Sequence, residues 1–335
     1  MTIREEIGKR ILFFDGGMGT LLQEQGLQAG ELPETWNLKN PEPIIQIHKA
    51  YLAAGADIIL ANTFGANRFK YGEDLEKIVM AGVANAKKAV AESGKKAYVA
   101  LDIGSTGKLL KPMGTLDFEE AVGVFAEIIR AGEKAGADLI LIETMSDTYE
   151  LKAAVLAAKE NSTLPIMATV IFDESKKMLT GASPQVVVSL LEGLGVDALG
   201  INCGLGPKQM KEIVKELLKY ASIPVIVNPN AGLPRSENGK TVFDVGAEEF
   251  AEDMEEIVTM GAWFAGGCCG TTPAHIQAMV EKCKEITPVP ITPKNYTFVT
   301  SYSTAVELGS RPVIIGERIN PTGKSKFKQA LRDHN

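Results

Sequence analysis

Eight times along this chain a short apolar, β-branched run gives way to a stretch with helical periodicity. Short apolar runs of this kind read as buried strands. Their alternation with helical stretches predicts βα units around a parallel sheet. The runs are ILFFDGG (11–17), ADIILANT (56–63), AYVALDIG (97–104), ADLILIET (137–144), PIMATVIF (165–172), DALGINCG (197–204), PVIVNPN (224–230) and AWFAGGCC (262–269). Between them, Leu75, Ile78, Val79, Gly82, Val83 and Val90 mark one helical face, and Met210, Ile213, Val214, Leu217 and Leu218 mark another. GADIIL, GADLIL and GVDALG form a weak local repeat that places Gly55, Gly136 and Gly195 as helix C-caps. Eight such units predict an α/β fold, a (β/α)8 TIM barrel, over residues 1–285. An open doubly wound sheet is the alternative. It is weakened because no GxGxxG follows the first strand.

Composition narrows the function classes. The 335 residues are 45% hydrophobic, enough for the core of such a barrel. The net charge of −7 argues against nucleic acid or an anionic membrane surface as a partner. No apolar run is long enough to span a bilayer, and the N-terminal stretch has no signal-peptide core. Four cysteines, two of them adjacent, do not make a secreted disulfide framework; the expected setting is the cytoplasm, with thiols reduced. After Cys283 the periodicity stops. Residues 286–311, rich in Pro, Thr and Ser, read as an ordered linker. Residues 312–335 resume a strand-like run and read as the beginning of a second domain.

Chemistry in a barrel gathers at the C-terminal ends of the strands. There stand Asp15-Gly16-Gly17, Asn62-Thr63, Asp102, Glu143-Thr144, Asn202-Cys203, Asn228 with Asn230, and Cys268-Cys269. Cys203 ends the sixth run, and Cys268 and Cys269 end the eighth. Alternate strands feed one interior layer, and at ~4.8 Å per strand these ends lie roughly 10 Å apart. One zinc ion with Zn–S bonds of about 2.3 Å is within reach of all three thiolates. Three ligands leave one position open, and soft sulfur favours zinc over magnesium or calcium. Buried thiols that act as small hydrophobes, or a strained vicinal disulfide, are the competing readings. Gly266 and Gly267 would let the strand end bend so that both adjacent sulfurs face one ion.

An all-thiolate zinc suits a fourth sulfur better than a hydroxide, and a coordinated thiol is deprotonated. That predicts alkyl transfer to a thiol. Asp15 and Glu143 are candidates to hold an ammonium, and the N–H groups of Gly16 and Gly17 to approach a carboxylate. Together they describe an amino-acid thiol, with Asn62 and Thr63 lining its pocket. The Asn230 oxygen is a candidate fourth zinc ligand when no thiol is bound. Trp36 and the loop GSTGKLLKPMG (104–114) are candidate covers over the pocket. His48 and Cys283 read as packing residues, and His275 as part of a helix start.

FFDGGMGT, LPETWNL, AGADIILANTFGANR, LIETMSD, GINCG and GGCCGTTPAHI resemble the homocysteine S-methyltransferase family, over roughly residues 8–285. The resemblance implies Cys203, Cys268 and Cys269 as zinc ligands. It implies Asp15 and Glu143 near the homocysteine amino group, and the Gly16–Gly17 backbone near its carboxylate. Members differ in methyl donor. RPVIIGERINPTG (311–323) resembles the start of the pterin-binding barrel that follows in cobalamin-dependent members, with Asn320 matching a position near the pterin site. This implies methylcobalamin as immediate donor, 5-methyltetrahydrofolate as ultimate source and methionine as product. The cobalamin-binding and folate-binding domains would be partners within one longer protein. Betaine or S-methylmethionine as direct donor is the alternative. A non-catalytic zinc- or thiol-binding module is the reading from another class. A hydrolase using zinc-bound water is disfavoured by the absence of histidine ligands.

Overall fold

Side-chain alternation divides every barrel strand of the computed structural model between two cores. The structure describes residues 2–28, 30–237, 240–316 and 321–334. The barrel strands are β1 (Leu12–Phe13), β2 (Ile58–Leu60), β3 (Tyr98–Ile103), β4 (Leu139–Met145), β5 (Ile166–Val170), β6 (Ala198–Asn202), β7 (Val225–Asn228) and β8 (Phe264–Ala265). Each lies inside one of the eight predicted runs, except that β4 continues one residue beyond its run to Met145. All neighbours are parallel, and β8 pairs with β1. A bridge between Phe14 and Ile58, with the Asp15 N–H donating to the Ile58 carbonyl at 3.0 Å, joins β1 to β2 and closes the ring. The open doubly wound sheet is therefore excluded.

Inside the ring, Leu12, Phe14, Ile58, Tyr98, Ala100, Leu139, Leu141, Met167, Ala198, Ile226 and Phe264 make one apolar plug, with Ile3 beneath it. The alternate residues, such as Phe13, Val99, Leu101, Ile140 and Ile142, face outward into the larger core under the helices. Period two carries the inward set onward to Asp102, Glu143, Thr169, Asn202 and Asn228, all buried. An apolar plug thus supports a polar layer at the C-terminal mouth.

The eight crossover helices are α1 (Pro41–Ala54), α2 (Leu75–Ser93), α3 (Phe118–Lys134), α4 (Thr148–Asn161), α5 (Pro184–Gly193), α6 (Pro207–Tyr220), α7 (Ala247–Met260) and α8 (Pro273–Cys283). Gly55, Gly136 and Gly195 follow α1, α3 and α5 with φ of 106°, 89° and 71°, the left-handed C-cap geometry expected of them. His48 and Cys283 are buried packing residues. His275 closes a capping box with Thr272 at the start of α8, its Nδ1 2.9 Å from the Thr272 hydroxyl.

Residues 286–311 are docked on the barrel rather than running free of it. They contain an antiparallel hairpin, Thr297–Thr300 with Ala305–Leu308, that lies along α5. Trp263 Nε1 donates to the Val289 carbonyl (2.8 Å) and the Lys294 N–H to Ser222 Oγ (2.8 Å) at the closed end. At the mouth, Thr148 Oγ1 donates to the Tyr302 carbonyl (2.9 Å). The run at 312–316 pairs with no strand among the described residues, and Ile314 and Ile315 are exposed. Helix Ser325–Arg332 has no buried residue. Asn320 lies outside the described residues.

Candidate functional site

Three strand ends are knitted together by backbone hydrogen bonds before any side chain is considered. The Cys203 N–H donates to the Asn228 carbonyl (3.0 Å), Cys268 N–H to Pro229 (2.8 Å), and Gly267 N–H to Asp15 (3.0 Å). Cys203 itself has φ of 57°, a left-handed conformation that side chains other than Asn and Gly adopt at a cost. Its sulfur faces the β8 loop. The three sulfurs of Cys203, Cys268 and Cys269 lie within 4.8 Å of one another, with 4.0 Å between Cys203 and Cys269. Around a tetrahedral ion with 2.3 Å bonds the sulfurs would stand about 3.8 Å apart, so contraction by about an ångström suffices. All four cysteines are free, which removes the vicinal disulfide reading.

Gly266 and Gly267 serve this packing by closeness, not by a bend. Neither has a left-handed φ, but a Cβ on Gly266 would stand 2.5 Å from Phe14 Cβ, and one on Gly267 2.3 Å from Thr271 Oγ1. Thr271 is the tie between the mouths of β1 and β8. Its hydroxyl donates to the Cys268 carbonyl (2.7 Å) and accepts the Gly17 N–H (3.1 Å), while the Tyr51 hydroxyl lies 3.0 Å from its carbonyl.

The thiols share their protons unequally. Hydrogen bonds from Cys268 and Cys269 hold the Cys203 thiol down at about 3. The same bonds push Cys268 well up and Cys269 up to about 12. Cys203 is thus the most acidic of the three thiols, and a metal bound by all three would displace their protons. The Asn230 side chain also lies against the Cys203 sulfur, and its Oδ1 accepts the Cys269 N–H at 3.1 Å.

The cluster forms one wall of a cavity of about 320 Å³. Gly16–Thr20, Glu34, Asn62, Phe64, Asp102 and Glu143 line much of the rest, and no Lys, Arg or His is among the lining residues. Burial first, then the charge at Cys203, raises the Glu143 carboxyl to about 8. Burial and the neighbouring carboxylates push Asp102 and Asp15 well above the ordinary range. Asp15 does not cap the next helix; Gly17 occupies that position, and Asp15 Oδ2 accepts the Leu60 N–H (2.9 Å). Its Oδ1 has no partner.

Asn62 reaches the cavity while its Nδ2 donates to the Pro33 carbonyl and to Asn37 Oδ1, both at 3.0 Å. Thr63 stands behind it. Its Oγ1 donates to the Asp102 carbonyl (2.8 Å) and accepts the Asp102 N–H (3.2 Å), pinning that backbone. Trp36 is buried in the helix-side core with Nε1 donating to Glu31 (2.9 Å), so it packs, while Pro33 and Glu34 of the same loop reach the cavity. Two residues noted only as strand ends acquire clear positions. Asn202 bridges β4, β5 and β6: its Oδ1 accepts from Thr144 N–H and Thr169 Oγ1 (both 2.8 Å), and its Nδ2 donates to Thr144 Oγ1 (2.7 Å) and Glu143 Oε2 (3.3 Å). Asp102 is the other, and the period-two alternation, of β6 for Asn202 and of β3 for Asp102, was the signal.

Fold and site together define a (β/α)8 barrel that sets a trithiol cluster against an acidic cavity at its mouth. The homocysteine S-methyltransferase family model matches residues 12–283. Methionine synthase of Mycobacterium leprae (strain TN) is 32% identical over 355 residues, spanning 98% of this chain. Methionine synthase of Mycobacterium tuberculosis is 32% identical over 347 residues. The chain covers only 29% of the length of either. The metallated crystal structure of the homocysteine methyltransferase MmuM from Escherichia coli superposes with a TM-score of 0.69 at 25% identity, over 82% of this chain and 96% of that one. This chain belongs to the homocysteine S-methyltransferase family.

Proposed function

We propose that this barrel binds homocysteine, holds its sulfur as a thiolate on zinc, and receives a methyl group there to form methionine. The observation that carries the reading is the trithiol cluster on the wall of an acidic cavity without basic residues. Cys203, Cys268 and Cys269 would hold the zinc, since three soft donors fit that ion and leave one position open. Bound there, zinc supplies a Lewis acid that stabilises a sulfur anion at neutral pH.

The chain's own residues orient the substrate. Asn230 steadies the Cys203 sulfur and the Cys269 backbone. For its oxygen to become a fourth zinc ligand it would have to share the Cys269 N–H. Glu143 faces the cavity as an acceptor for the ammonium, with Asp15 behind it. The Gly16–Gly17 turn takes the carboxylate end; the Gly17 N–H is already given to Thr271, so Gly16 is the freer donor. Asn62 and Phe64 narrow the opening, and Thr63 acts through the strand it pins.

For the donor we propose methylcobalamin, recharged from 5-methyltetrahydrofolate by folate- and cobalamin-binding domains of a longer protein. Similarity to methionine synthases extends over 98% of this chain, beyond the barrel, and supports that donor. Likeness to the E. coli homocysteine methyltransferase supports the acceptor alone, and direct transfer from S-methylmethionine or betaine is the second reading. Reduced thiols fit a cytoplasmic setting, and no described helix is long and apolar enough to cross a membrane.

The test supplies the zinc-loaded protein with homocysteine and each donor in turn, beside Cys203→Ala. We expect transfer from methylcobalamin, and loss of both zinc retention and transfer in the variant. Transfer only from a sulfonium or betaine would overturn the donor. Full activity of a zinc-free Cys203→Ala protein would overturn the thiol-activation reading, and homocysteine binding without transfer from any donor would favour a non-catalytic module.

A further inference from the structure

The cavity holds more acid than one substrate ammonium paired with Asp15 and Glu143 would explain. Asp102 continues the inward row of β3 after Tyr98 and Ala100 and opens directly into the cavity. It is 5% exposed, and its Oδ1 has no hydrogen-bond partner. Its backbone is held on both sides by Thr63, so the carboxyl is aimed by a fixed strand, not by a mobile loop. The groups that act on its charge are all acidic: Glu143, Asp15 and Glu34. No ion pair involves Asp15, Asp102 or Glu143 among the described residues. A buried carboxyl oxygen without a donor costs stability unless something else fills that role, and the Asp102 side chain borders the cavity.

Asp15 stands differently. One of its oxygens is committed to the Leu60 N–H and the carboxyl is not among the residues that line the cavity. A primary ammonium carries three N–H donors in a compact cluster. Glu143 and Asp102 present acceptors at the cavity surface, and Asp15 adds charge from behind.

We infer that Asp102 is a specificity-determining residue that accepts a hydrogen bond from the α-ammonium of the thiol substrate, so that the pocket selects primary aminothiols over thiols lacking the amine. The inference rests on the homocysteine reading above. It assigns the ammonium a second direct acceptor beside Glu143, where Asp15 only adds charge from behind.

The experiment compares homocysteine with 4-mercaptobutanoate, the same thiol acid without its amine, as acceptors for the zinc-loaded wild type and for Asp102→Asn and Asp102→Ser. Zinc content and thermal melting are recorded for every protein. We expect the wild type to prefer homocysteine. In the variants kcat/KM for homocysteine should fall about 10- to 100-fold, the range for a hydrogen bond to a charged group, with KM carrying most of the change. For 4-mercaptobutanoate it should change by less than about threefold, and zinc content should stay level. Equal losses for both thiols would make Asp102 merely structural and overturn the inference, as would no loss for either. If one variant fails to fold, the other decides. If both fail, the wild type's ratio decides, and equal use of the two thiols overturns the inference. Failure of the wild type to methylate any thiol would instead remove the homocysteine reading itself.

Discussion

Single residues here do several jobs at once, and Asn202 is the clearest case. Both ends of its amide are used, on three strands, and it sits beside Glu143 on one side and Cys268 on the other. Asn202→Ala would strand the Thr144 N–H and the Thr169 hydroxyl. We expect a loss of about 2–4 kcal/mol in urea unfolding, together with a raised KM for homocysteine. A stability change below ~0.5 kcal/mol would mean that the bridge is redundant. His48 offers a second test at this scale. It is fully buried, neither ring nitrogen has a partner, and burial lowers its pKa from 6.5 to about 3. Because the folded value lies below the unfolded one, unfolding takes up a proton below about pH 6.5. Stability present above that pH is lost as pH falls toward 3, by about 2 kcal/mol between pH 7 and pH 5. His48→Leu should flatten this slope. Melting curves at pH 7 and pH 5 that show the same slope in both proteins would count against it.

At the scale of elements, the site depends on how closely the β1 and β8 ends can approach. Gly267→Ala puts a methyl group 2.3–2.7 Å from Thr271, whose hydroxyl ties Cys268 to Gly17. We expect a cost of about 1–3 kcal/mol and faster zinc loss to a chelator. Cys283→Ala, at the far end of α8, should leave zinc retention unchanged, because that thiol is buried away from the cluster. If Gly267→Ala also holds zinc like the parent, close packing does not set the sulfur positions. The sequence made the eight strands, the convergence of three cysteines and the glycine caps legible, because each is written in local period or chain order. It misplaced the role of Gly266 and Gly267, since a bend and a close approach look alike in sequence. It left Asp102 and Asn202 without roles, because a buried carboxyl without a partner and a four-way amide exist only once three strands stand side by side. Trp36 shows the reverse error: its loop reaches the cavity through Pro33 and Glu34, while the indole turns into the core.

The whole molecule is more than the span matched by the family, which ends at residue 283. Beyond it, the chain crosses the closed end of the barrel, climbs along α5 as a hairpin, and arrives at the mouth beside the site. Tyr296 and Phe298 stack on each other and meet the Tyr220 ring edge-on. At the turn, the Tyr302 hydroxyl touches Met113 Sδ (3.6 Å) of the loop after β3, and its carbonyl takes the Thr148 hydroxyl at the start of α4. Tyr302, Tyr149, Met113 and Leu110 enclose an apolar hollow there, so the hairpin braces the loop that begins just past Asp102. A composition rich in Pro, Thr and Ser does not distinguish such a brace from a free linker, because docking depends on a few aromatic contacts and not on an average. A chain ending at residue 294 should retain zinc, since no cysteine of the cluster touches the hairpin. It should lose about 2–4 kcal/mol of stability, from two to three aromatic side chains left partly unburied. Freed from Tyr302, the loop should open to protease, and trypsin should cut after Lys108 several-fold faster than in the full chain. Cleavage at an unchanged rate would make the hairpin a passenger on the barrel, and the loop's order would then have to come from its other ties, Ser105 and Thr106 on Glu150, Lys111 on Asp117, and Lys108 over the Phe69 ring (3.5 Å).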